Sequence, residues 1–184
     1  MLWRLVAIIA IVGAADSALA GSEWPESDGE PERSGLVLGV NLGLGSLHGS
    51  PALEAGWRVG YMMTPRLAGL LEVSGAMAPT GAATSSNGVA SGTFVSNQTF
   101  VGPAVQAWVR PRLWLRGGLG ISSVLGTRDG DDLPERDVGA MFAAGVHLAG
   151  SRGLTLDFQL SSRVTAYGLS PVADAMGSFG VAWY

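Results

Sequence analysis

The chain has 184 residues, of which 47% are apolar and only 14% are charged. So few charges cannot clothe the whole surface of one water-soluble domain, which implies that much of that surface meets something other than water. A net charge of −4 leaves no basic face for nucleic acid, and the absence of Cys excludes disulfides, thiol chemistry, Cys-ligated zinc and a lipidated Cys anchor.

Residues 1–20, MLWRLVAIIAIVGAADSALA, carry one positive charge at Arg4, an apolar run from Leu5 to Ala15 and a small-residue site at Ala18-Leu19-Ala20. That is the layout of a cleavable signal peptide, and the run is too short to span a bilayer comfortably. Residues 21–34, GSEWPESDGEPERS, hold five acids (Glu23, Glu26, Asp28, Glu30, Glu32), two prolines and almost nothing to bury. They read as a solvated, disordered acidic leader.

From Gly35 the pattern changes to a period of two, the signature of strands with one oily face. Leu36, Leu38, Val40, Leu42 and Leu44 alternate with Gly39, Asn41, Gly43 and Gly45. Leu53, Ala55, Trp57, Val59, Tyr61 and Met63 then oppose Glu54, Gly56, Arg58 and Gly60, and Leu67, Leu71, Val73 and Met77 oppose Ala68, Glu72 and Ser74. Val101, Val105, Ala107 and Val109 face away from Gln106 and Trp108; Leu113, Leu115, Leu119 and Ile121 face away from Arg116, Gly118, Gly120 and Ser122. Val138 to Leu148 alternate with Gly139, Gly145 and His147. Leu154, Leu156, Phe158, Leu160 and Val164 alternate with Thr155, Asp157, Gln159, Ser161, Arg163 and Thr165. The terminal SFGVAWY makes an eighth strand, with Phe179, Val181 and Trp183 outward and Tyr184 at the rim.

Short links at 64–66, 110–112 and 149–153 interleave with longer ones at 45–52, about 78–98, 126–137 and 167–174. Short turns at one end and long loops at the other describe an up-and-down antiparallel barrel. A soluble barrel would turn its oily face inward and need a charged exterior. Here the polar face holds three Arg, three acids and many Gly and Ser, which suits the narrow lumen of eight strands. The oily face is therefore expected to meet lipid, each run supplying the 9–11 residues or so that a tilted membrane strand requires.

The leader, the eight alternating strands, the loop asymmetry and the terminal Trp183-Tyr184 make residues 35–184 resemble the small outer-membrane β-barrels of the OmpA and OmpX type. The resemblance implies a Gram-negative outer-membrane location, contact with outer-membrane lipid and lipopolysaccharide, and a C-terminal aromatic read by the barrel-insertion machinery. It also implies periplasmic termini and short turns, with the long loops at the cell surface and available to an extracellular partner. It names no activity.

Within the lumen, pairing Met63 with Leu67 and Val109 with Leu113 sets Arg58 opposite Glu72 and Gln106 opposite Arg116. Arg58, Glu72, Arg116 and Asp157 fall at one depth, and Glu54 with Arg163 nearer the long loops. Buried charges persist only when paired, so these six residues are expected to form a neutral network across the lumen that plugs it; a gated pore for small solutes is the alternative. Tyr61, Trp183 and Tyr184 are expected in an aromatic girdle at the short-turn end, which Trp108 and Trp114 leave partial by pointing inward. Two weaker constellations complete the reading. A His48/Ser50/Glu54 grouping would be needed for a lipid A-modifying enzyme, and the acids Asp129, Asp131, Asp132, Glu135 and Asp137 could hold calcium; both fit ordinary loops, and the chain is expected to be non-enzymatic, without cofactor or metal.

Overall fold

The computed structural model describes residues 33–47, 49–84, 90–125, 135–151, 153–166 and 172–184. Eight strands follow one another: β1 (Leu36–Leu47), β2 (Ser50–Thr64), β3 (Leu67–Thr84), β4 (Ala90–Trp108), β5 (Leu113–Leu125), β6 (Glu135–Ser151), β7 (Leu154–Thr165) and β8 (Val172–Trp183). Each pairs antiparallel with the next, and β1 pairs with β8, so the sheet closes into a barrel without an edge. Closure leaves no open sheet edge, the condition a sheet must meet if its backbone is to lie in lipid.

The period of two decides which side chains face out. All eight strands expose large apolar residues, among them Leu42, Leu53, Val105, Leu119, Val138, Phe142, Leu156 and Phe179, while Asn41, Glu54, Arg58, Gln106, Arg116 and Gln159 between them are buried. Phe179, Val181 and Trp183 face outward as expected. Ser162 stands on the outward face with an otherwise unmet hydroxyl, and it donates to the Asp174 carbonyl on the neighbouring strand at 2.7 Å.

Register follows the sequence reading in the two strand pairs for which it was set: Arg58 pairs with Glu72 and Gln106 with Arg116. Near the first short turn it departs. A bulge at Met63 makes Thr64, rather than Met63, the partner of Leu67. A second irregularity lies between His147 and Ala149 in β6.

The loop lengths need correcting. The link expected over 45–52 shrinks to residues 48–49, where Gly49 supplies the positive φ of 83° that a tight turn demands. The segment expected as a loop over 78–98 is mostly ladder, since β3 runs to Thr84 and β4 starts at Ala90. Pairing overrode the Ser/Gly/Thr-rich composition there because alternate residues still offer hydrogen-bonding backbone on both strands. Likewise β6 begins at Glu135, and β8 at Val172, which places Asp174 inside the barrel rather than in a loop.

Candidate functional site

Among the described residues, the lumen is where buried charged and amide side chains gather. Apolar clusters lie toward both ends of it. Val37, Met62, Ala68, Leu70, Ala104, Trp108, Trp114, Ala143, Ala182 and Tyr184 pack at the short-turn end, and Leu47, Ala52, Ala76, Ala78 and Met176 at the other. Charged and amide side chains fill the space between. The small inward residues make the room: a Cβ added at Gly39 would stand 2.7 Å from Arg58 Nε, and one at Gly145 would stand 2.3 Å from the Trp114 ring.

The charges form two layers. In the one nearer the short turns, Arg116 is the hub. Its Nε lies 2.9 Å from Glu72 Oε2, its Nη1 donates to Gln106 Oε1 at 3.2 Å, and its Nη2 donates to Gln159 Oε1 at 3.0 Å. One guanidinium from β5 thereby ties β3, β4 and β7, and Gln159 continues the chain to Ser178 Oγ on β8 at 2.9 Å. Arg58 reaches past its register neighbour Glu72 to Asp157 Oδ2 on β7, at 3.5 Å. Trp114 is packed among them, with the Arg116 guanidinium 4.8 Å and that of Arg58 5.9 Å from its ring centre.

The second layer lies toward the long loops. Arg163 Nη2 is 3.4 Å from Glu54 Oε1, and its Nε is 2.5 Å from Asp174 Oδ2. Ser161 Oγ also donates to Glu54 Oε1, at 3.1 Å. Beyond these, Gln98 Nε2 donates to Thr165 Oγ1 at 2.8 Å, and Thr165 shares a 2.6 Å hydrogen bond with Ser122.

All six sequence-identified lumen residues, Glu54, Arg58, Glu72, Arg116, Asp157 and Arg163, are thus buried and ion-paired. The ion pairs Arg58–Asp157, Arg116–Glu72 and Arg163–Glu54 each join strands that are not neighbours, so these arginines reach across the lumen, while Arg116 also keeps its register neighbour Gln106 and Arg163 the adjacent-strand Asp174. Two charged members were missed. Asp174 sat in a segment read as loop, and Arg33 in one read as solvated leader. Arg33 is in fact 2% exposed, with its guanidinium 4.7 Å from the Trp108 ring centre and Nη2 donating to the Pro111 carbonyl. The alternation Thr155, Asp157, Gln159, traced onto its partner strand, would have found Asp174; nothing local marks Arg33.

The aromatic girdle also changes. Tyr61 and Trp183 are exposed on the outer face, at 63% and 60%, but Tyr184 turns into the lumen and is only 8% exposed. Its backbone N–H donates to the Gly153 carbonyl at 2.8 Å, and its hydroxyl accepts from Gln106 Nε2 at 3.2 Å. Strict alternation continued one residue past Trp183 sends Tyr184 inward, where a phenol finds both ring partners and a donor. There it stacks on His147, with ring centres 5.8 Å apart, and meets Trp108 edge-on at 5.1 Å. Trp108 Nε1 in turn donates to His147 Nε2 at 3.3 Å.

The weaker constellations rest on His48 and on the acids 129, 131 and 132, which lie outside the described residues. Ser50 and Glu54 stand four residues apart on β2, about 13 Å along a strand, and Glu54 is committed to Arg163. Asp137 accepts a 2.7 Å bond from the Val138 N–H beside it.

No protein-family model matches the sequence, and no curated protein sequence does. Solved structures match it in fold. The Neisserial surface protein A, NspA, superposes with a TM-score of 0.59 at 13% identity, over 80% of this chain and 94% of that one. The N-terminal β-barrel domain of Pseudomonas aeruginosa OprF gives 0.51 at 12% identity, over 82% of this chain and 98% of that one. The chain has the eight-stranded barrel fold of these outer-membrane proteins.

Proposed function

We propose that this chain spans a bacterial outer membrane and acts there without catalysis, as a structural and surface-interaction barrel whose lumen is plugged by its own charges. The observation that carries the reading is the pairing of an apolar exterior with a charge-filled interior. A soluble protein would hide Leu42, Leu119 and Phe142; a conducting pore would not fill its bore with ion pairs between two apolar clusters. The outward belt then contacts outer-membrane lipid and lipopolysaccharide. The termini and short turns lie on the periplasmic side, where residues 1–20 have served as the export signal. The loops at the far end then face the exterior, where an extracellular partner would meet them. The fold shared with a Neisserial surface protein supports this orientation, and the net negative charge argues against nucleic acid.

Heat-modifiable gel mobility combined with surface proteolysis of intact cells tests the reading. A compact band that shifts on boiling, with cleavage confined to the long-loop end, is the expected result. A mature chain that stays soluble and monomeric without detergent would overturn it. Planar-bilayer recording of Arg58→Ala and Glu72→Gln decides between plug and gate: sustained zero conductance in both supports the plug, and new channel events support a gate.

A further inference from the structure

Counting the buried charges that the strands themselves supply leaves the lumen unbalanced. Arg58, Arg116 and Arg163 face Glu54, Glu72, Asp157 and Asp174, an excess of one negative charge among the described residues. A fourth buried cation comes from outside the barrel wall: Arg33, three residues before β1, is buried in the short-turn mouth. The surplus negative charge lies at the other end, where Glu54 and Asp174 share Arg163, so Arg33 is held at this mouth by the mouth's own contacts.

The seat that receives it is built from several elements. Trp108, at the end of β4, presents its ring face to the guanidinium. The orientation of that ring is fixed by its N–H bond to His147 on β6 and by the edge of Tyr184, which follows β8. The Pro111 carbonyl, in the β4–β5 turn, accepts from Nη2. A ring face and a carbonyl acceptor set together in a buried mouth are the parts from which organic-cation sites are made.

We propose that the short-turn mouth is a binding site for a guanidinium or primary ammonium group, occupied in this chain by its own Arg33. Arg33 is then an internal ligand of this site, and a free organic cation at sufficient concentration competes with it for the seat. The inference rests on the closed-lumen reading above, but it is tested by occupancy at the mouth rather than by conductance, so the two can fail separately.

The chain contains no Cys, so a single cysteine reports cleanly. Ala182→Cys places a thiol in the inward cluster at the mouth, where Ala182 is 1% exposed. Modification by a small water-soluble thiol reagent is measured with Arg33 present and in Arg33→Ala, each variant first shown to be folded by its gel shift. Removing Arg33 is expected to speed modification about tenfold, in line with a desolvated cation–π contact. Millimolar methylguanidinium is expected to slow it again, while urea, similar in shape but neutral, leaves it fast. Equal rates with and without Arg33, or equal effects of methylguanidinium and urea, would overturn the proposal. In the Arg33→Ala background Trp108→Leu is expected to abolish the rescue, and unchanged rescue counts against the site; should that variant not fold, Trp108→Phe takes its place, with weakened rescue expected and full rescue counting against it.

Discussion

Arg163 and Asp174 hold each other twice. The Arg163 backbone N–H donates to Asp174 Oδ1 at 2.7 Å, and its Nε donates to Oδ2 at 2.5 Å. Pairing of β7 with β8 runs through Ser161 and Met176 and resumes at Val164 and Ala173, so the carboxylate serves the stretch between, where it acts as both counterion and ladder acceptor. Asp174→Ala removes both functions and leaves Arg163 with Glu54 alone; the expected loss is about 3 kcal/mol, typical of breaking a buried pair from one side. Asp174→Asn keeps an oxygen for the backbone N–H and is expected to lose clearly less. Urea midpoints of the folded band, read with unchanged m, check the order; equal losses would show that the backbone contact contributes nothing.

A sharper contrast is expected at Arg116. Replacing it with Met orphans Glu72 in a lumen where that side chain is 3% exposed, and also removes a donor from Gln106 and Gln159. Loss of roughly 3–5 kcal/mol follows from leaving one charge buried and unpaired. Arg116→Met combined with Glu72→Leu removes the charge along with its partner, and most of the loss is expected to return. A double-mutant cycle gives the coupling directly; strictly additive losses would mean that the two side chains do not depend on each other.

How far the sequence carried these conclusions depends on the range of the interaction. Alternation at Leu36 to Leu44 or Leu154 to Val164 is a local signal, and it fixed both the strands and the facing of Glu54, Arg58, Glu72, Arg116, Asp157 and Arg163. Register came from two short turns, and it held apart from the bulge at Met63. Partner choice did not follow, because an interior that side chains just fill lets a long arginine reach carboxylates on non-neighbouring strands. Tyr184 was misplaced by treating a terminal residue as rim, although the period of two already turned it inward. Arg33 was invisible for a different reason: a single basic residue in a run of Glu, Pro and Ser carries no periodicity, and its contacts are with Trp108 and Pro111, far along the chain.

Trp114 sets a steric limit on β6. An added Cβ at Gly145 would meet the ring at 2.3 and 2.6 Å and the Phe158 carbonyl at 2.8 Å. The ring is fully buried, with Arg58 and Arg116 close to its face, so it has nowhere to turn. Gly145→Ala is therefore expected to destabilise by about 1–3 kcal/mol, the usual cost of overpacking. Adding Trp114→Phe, which shortens the ring system, is expected to restore part of it. Thermal conversion of the compact band measures both, and a neutral Gly145→Ala would mean that the β5–β6 wall moves more easily than its ladder suggests.

The lipid-facing assignment makes a prediction that no soluble barrel shares. Leu36 stands at the short-turn end of β1, and Leu42 lies midway along it; both point outward, at 55% and 71% exposure. Water treats two such sites alike, and arginine at either would be neutral or favourable. A bilayer grades them by depth, charging about 2–4 kcal/mol for Arg near the midplane and roughly 0–1 near an interface. Leu42→Arg is thus expected to lower the equilibrium stability of the barrel in lipid vesicles by several times the effect of Leu36→Arg. The same pair measured in thicker and thinner bilayers should keep that order, because both residues sit on one strand and their depths shift together. Equal effects, or a loss confined to Leu36→Arg, would be incompatible with a membrane belt centred near Leu42.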